Sequence, residues 1–87
     1  MTGLPNEWTE YPVGPSDRLL VGRTYPDGVD VQIRVTELPS GRFELVLSAE
    51  HRCSGPTAAR LGEFATFDEA VTAMIAVCAE SDRDQLS

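Results

Sequence analysis

The chain has 87 residues, with 14 acidic and 7 basic side chains, a formal net charge of −7 and 41% hydrophobic residues. That length holds one domain with a small core, and the acid excess excludes a general nucleic-acid binder, which needs a basic footprint. The longest apolar run, Ala73 to Ala79, is far short of a membrane span. Met1 to Asn6 carries neither the basic nor the apolar region of a signal peptide, and two cysteines are too few for a disulfide scaffold. The expectation is a cytoplasmic protein with reduced thiols.

Residues 1–17 read as an extended N-terminal segment. Pro5, Pro12 and Pro15, with Gly3 and Gly14, interrupt any helix or central strand. Trp8 and Tyr11 are large rings that seek cover, so a short extended piece near 7–12 is expected to dock on the domain.

From Arg18 to Ala49 the pattern is β. Val29, Val31, Ile33 and Val35 alternate with Asp30, Gln32, Arg34 and Thr36, and Phe43, Leu45 and Leu47 repeat the period. Pro26-Asp27-Gly28 precedes the first run and Pro39-Ser40-Gly41 separates the two. Proline presets such a turn, and glycine supplies the left-handed position of a three-residue hairpin loop. If both loops close that way, Val35 pairs with Leu45, Ile33 with Leu47 and Val31 with Ala49. Val21 then meets Ile33 and Leu19 meets Val35, all on one face. A slip of one residue would mix the faces.

Residues 50–57 read as a loop and Ala58 to Ala65 as a fourth strand. Thr66 and Glu69 have capping-box spacing, with Asp68 beside them. Phe67, Ala70, Val71, Met74, Ile75 and Cys78 follow at helical spacing, so a helix is expected from 67 to about 80. Residues 82–87 read as a polar tail. The expected fold is α+β. An antiparallel β-meander of three to four strands is packed on one face by a single C-terminal helix, within a domain spanning 18–81. Its expected core is Val21, Ile33, Val35, Leu45, Leu47, Phe67, Val71, Met74 and Ile75.

Thr66-Phe67-Asp68-Glu69-Ala70 resembles the strand-to-helix junction of HicB-type antitoxins. The five residues are mostly a capping box and imply no residue role. In size and charge the chain is similar to small acidic anti-defence proteins of phages, anti-CRISPR inhibitors among them.

No catalytic constellation is visible. His51, Cys53 and Cys78 are the soft metal ligands available, fewer than a structural zinc site needs. The pair His51 and Cys53 has nothing to orient it as a nucleophile. No catalytic residue, cofactor or metal is therefore expected. Residues 67–87 hold five acids and one arginine. Carboxylates spaced along a rigid domain can occupy sites built for phosphates, because arginine forks bind both. Asp68, Glu69, Glu80, Asp82 and Asp84 are thus candidate contacts, with Glu44 and Glu50 from the sheet.

The same register aligns Leu20, Arg34 and Val46 in one row on the outer sheet face, a second candidate patch. Thr72, Ala73, Ala76 and Ala79 leave an uncharged helix face, through which a homodimer is conceivable. The expected function is a small, non-catalytic protein-interaction module, an inhibitor or regulator that occupies a basic, nucleic-acid-binding surface of a protein partner. It would contact no nucleic acid or membrane itself. The rival readings are an accessory domain whose acidity serves solubility or salt tolerance, and a His/Cys enzyme or metal protein.

Overall fold

In the computed structural model, which describes residues 7–15, 17–51, 53 and 55–86, both Pro-x-Gly segments close three-residue hairpins. The Tyr25 N–H donates to the Val29 carbonyl at 2.8 Å, and the Leu38 N–H to the Arg42 carbonyl at 2.8 Å. Gly28 and Gly41 take φ of 91° and 86°, the left-handed position such loops require.

Five strands result: β1 (Thr9–Tyr11), β2 (Asp17–Thr24), β3 (Val29–Glu37), β4 (Phe43–His51) and β5 (Gly55–Phe64). They form one sheet in the order β1-β2-β3-β4-β5, each antiparallel to its neighbours. One helix, α1 (Phe67–Leu86), follows and covers one face. The fold is the expected α+β meander with five strands instead of three or four. The extra strand is β1, three residues pressed between prolines and too short to show alternation.

Every cross-strand pair expected from the two turns is present, including the row Leu20, Arg34 and Val46. The buried face carries Leu19, Val21, Val31, Ile33, Val35 and Leu45, against Ala70, Met74 and Cys78 of α1. Leu47, Phe67, Val71 and Ile75, expected in the core, are only partly buried and pack at its margin. Trp8 and Tyr25 complete the core instead.

Of the segment 50–57 expected as a loop, Glu50 and His51 belong to β4 and 55–57 to β5. The ladder between β4 and β5 runs to His51↔Gly55. One extra residue, Leu61, sits between Gly62, which faces Leu45, and Arg60, which faces Val46. The helix is also longer than expected: it continues through 82–85 to Leu86, so these residues are not a tail. Residues 1–6, Ser16 and Ser87, parts of the expected terminal segments, lie outside the described residues.

At its start, α1 is capped by Thr66, whose Oγ1 accepts the Glu69 N–H at 3.2 Å. Phe67 meets Phe43 of β4 edge to face, with ring centroids 5.8 Å apart. Thr66→Ala should cost ~0.5–2 kcal/mol through loss of the cap, and Ile33→Ala ~2–5 kcal/mol as a fully buried truncation. Urea midpoints of the two variants, compared with the parent, check both values.

Candidate binding surface

On β2 the period that buries Leu19 and Val21 carries Arg23 and the following Tyr25 onto the same, helix-facing side. A guanidinium there needs an anion, since an unpaired buried charge costs several kcal/mol. Asp82, in the last turns of α1, supplies it. Its Oδ1 accepts from Arg23 Nη1 at 3.0 Å, from the Tyr25 hydroxyl at 2.8 Å and from Trp8 Nε1 at 3.1 Å. Because the Tyr25 proton is committed to Asp82, the Ser81 hydroxyl donates to the Tyr25 oxygen, at 2.8 Å. The Arg23 guanidinium also lies 4.4 Å from the Tyr25 ring centroid, a cation–π distance. Its Nε is buried and finds no hydrogen-bond partner among the described residues. Burial pushes the Tyr25 phenol above its usual range; Asp82 adds to this, while Ser81 and Arg23 act against it.

This cluster withdraws Asp82 from the candidate contacts. Its carboxylate is used inside the molecule, fastening the end of α1 to β2 and to the residue before β1. Asp82→Ala should destabilise by about 2–4 kcal/mol, below the figure for a sealed pair because the Asp82 side chain keeps 20% exposure. Adding Arg23→Met to it should recover part of the loss, since no unpaired cation then remains. Urea unfolding, followed by the fluorescence of Trp8, the single tryptophan, reads both changes.

Four further arginines are also engaged. Arg18 pairs with Glu37, Arg34 with Asp17 at 3.9 Å, Arg42 with Glu63 at 3.1 Å, and Arg60 with both Glu44 at 2.9 Å and Glu63. Glu44 is half-buried and ion-paired, and Arg34 lies next to Asp17. Tyr11 stands opposite Leu20 at one end of the Leu20–Arg34–Val46 row. Trp8 is turned to the other face.

Two pairs of like charges face each other across neighbouring strands. Glu44 opposes Glu63, and Arg60 bridges them. Asp30 opposes Glu50, both exposed, and no ion pair among the described residues neutralises them. Such opposition is unfavourable. Asp68, Glu69, Glu80 and Asp84 are likewise exposed and enter none of those ion pairs.

Two concavities adjoin four of these acids, Asp30 with Glu50 and Glu80 with Asp84. On the outer sheet face a cavity of about 370 Å³ has Gln32 and Ser48 among its lining, with Tyr11, Pro56, Asp30 and Glu50. Gly22 is needed here: a Cβ would stand 3.0 Å from the Val31 carbonyl oxygen and 3.2 Å from the Tyr11 ring. On the helix side a cleft of about 310 Å³ opens between the last turns of α1 and the sheet. Its apolar lining includes Val29, Leu47, Ala49, Leu61 and Val77, and Glu80 and Asp84 border it.

His51 and Cys53 stay apart from Cys78. His51 Nδ1 accepts the Cys53 backbone N–H at 3.1 Å, a tie within the β4–β5 hairpin. Both cysteines are free, Cys53 exposed and Cys78 buried, with burial first and Asp82 second pushing the Cys78 thiol up to about 12. No three histidine, cysteine or acidic side chains gather as a metal site among the described residues. A thiol reagent should label Cys53 at once and Cys78 only after denaturation; two fast-labelling thiols in the native protein would contradict this burial.

Comparison of the chain with protein-family models, with curated proteins and with solved structures gives no match. No helix among the described residues is long and apolar enough to cross a membrane.

Proposed function

We propose that the protein is a non-catalytic binding module that engages a basic, nucleic-acid-binding surface of a protein partner and inhibits or regulates it. One observation carries the reading. Five of the seven arginines are held in internal ion pairs, while Asp30, Glu50, Asp68, Glu69, Glu80 and Asp84 have no cation against them among the described residues. The field that an approaching molecule meets is therefore dominated by carboxylates. A sheet with one helix fixed on it keeps them at constant spacing, as a mimic of phosphates requires. Opposite charge would steer such a partner and make its association fall with salt. Among the described residues no side-chain geometry assembles a nucleophile, a base and an oxyanion donor, which also favours binding over catalysis.

The rival reading is that the acids serve solubility alone, and it makes the opposite forecast for one experiment. The immobilised protein is exposed to cell lysate at low and at high salt, and captured proteins are challenged with DNA. Mimicry predicts a nucleic-acid-binding partner that is lost at high salt and displaced by DNA. Neutralising Asp30, Glu50, Asp68 and Glu69 together should weaken capture far more than any single change, because exposed charges act weakly one by one. A quadruple variant that aggregates sooner yet captures the same proteins equally well would leave solubility as the role of the acids.

A further inference from the structure

The exposed edge of β5 and the cleft beside it form one continuous surface. Among the described residues the outer side of β5 has no strand against it, so it presents backbone N–H and C=O groups for pairing, as any sheet edge does. Pro56 and the irregularity at Leu61 limit the regular stretch to about Thr57–Leu61. The helix-facing side chains here are small: Thr57 opposes Ala49 and Ala59 opposes Leu47. They leave a low shelf between the edge and the apolar floor of the cleft. Leu61, 41% exposed, stands at the end of that shelf. Across it, Glu80 and Asp84 project one helical turn apart from the same face of α1.

We infer that this surface takes an extended segment of a partner protein, cationic and apolar in alternation, which adds to the sheet as a sixth strand beside β5. Its backbone pairs with the free edge. Its apolar side chains lean over Ala59 into the cleft against Leu47, Leu61 and Val77, and its lysines or arginines reach Glu80 and Asp84. Strand addition of this kind draws affinity from main-chain hydrogen bonds and specificity from alternate side chains. Charge selects the occupant. A second copy of this chain would bring another −7 to the same edge, and an acidic segment would meet the two carboxylates without a counter-charge. The sign of the partner's charge rests on the function proposed above; the strand geometry and the apolar cleft stand without it.

The test uses the whole protein and a short synthetic peptide of alternating lysine and valine, followed by amide chemical shifts. An otherwise equal peptide of glutamate and valine is the control. Shifts and slowed hydrogen exchange at Thr57–Leu61, with shifts at Val77–Asp84, are expected for the lysine peptide alone. Ala59→Arg, an exposed site that tolerates a longer side chain, should abolish them by filling the shelf with a like charge. Glu80→Gln with Asp84→Asn should weaken binding by about tenfold or more while leaving valine contacts in place. Absence of shifts with millimolar lysine peptide overturns the inference. Shifts confined to Asp30, Glu50, Asp68 and Glu69 also overturn it but keep the acidic-surface function. Equal binding of both peptides at β5 retains the strand site and removes the charge reading. A dimer joined through β5 in solution makes a second copy the occupant and overturns the choice of a cationic partner.

Discussion

Asp82 is the constraint on which the rest of the arrangement depends. One carboxylate compensates the Arg23 guanidinium, receives the Tyr25 hydroxyl and holds the Trp8 indole. Helix α1 therefore begins beside Phe43 on β4 and ends against side chains from β2 and from the residue before β1. Its last turns are tied to the β1–β2 side of the sheet, and the apolar surface of Val29, Leu47 and Ala49 on the other side is only partly covered. The cleft follows from where the ion pair sits.

The remaining charges are sorted by the sheet. Around the end of the outer face near the β3–β4 turn, Asp17, Glu44 and Glu63 interleave with Arg34, Arg42 and Arg60 in a lattice of exposed pairs. Each such pair is worth little singly. Their collective effect is to set a carboxylate against each of these arginines. At the opposite end Asp30 and Glu50 face one another with no ion pair among the described residues, and the helix carries its acids at its two ends. The molecule thus has a neutralised region and three acidic groups, a division that the net charge alone does not reveal.

Most of the fold is legible in the sequence because two independent signals agree. Pro26-Asp27-Gly28 and Pro39-Ser40-Gly41 set the loop length, and the alternation from Val29 to Leu47 sets the face. Either alone leaves the register open. β1 is not legible, since three residues between prolines show no period and its place depends on β2. The length of the helix is hidden by the polar character of 82–85. Yet the Asp82 contact had a signal: counting by twos from Leu19 and Val21 puts Arg23 on the buried face, and counting by fours from Met74 and Cys78 puts Asp82 on the helix stripe. A cation and an anion at corresponding ends of two apolar faces imply each other. The candidate contacts were harder to sort, because Glu44 and Glu50 read alike in the sequence and differ only in whether Arg60 can reach them.

The contact between Trp8 and Asp82 joins residues 74 positions apart, a separation that would be entropically expensive in an open chain. The meander divides it. Each hairpin closes over a few residues, and the entropy of loop closure rises only with the logarithm of length. Once β2 to β5 are paired, the helix has only Ala65 and Thr66 as its hinge to the sheet, and β1 needs only the short 12–16 connection to reach β2. A contact so distant in sequence is thus reached through a succession of near ones, so a domain of this size can tie its first and last described elements together without a disulfide.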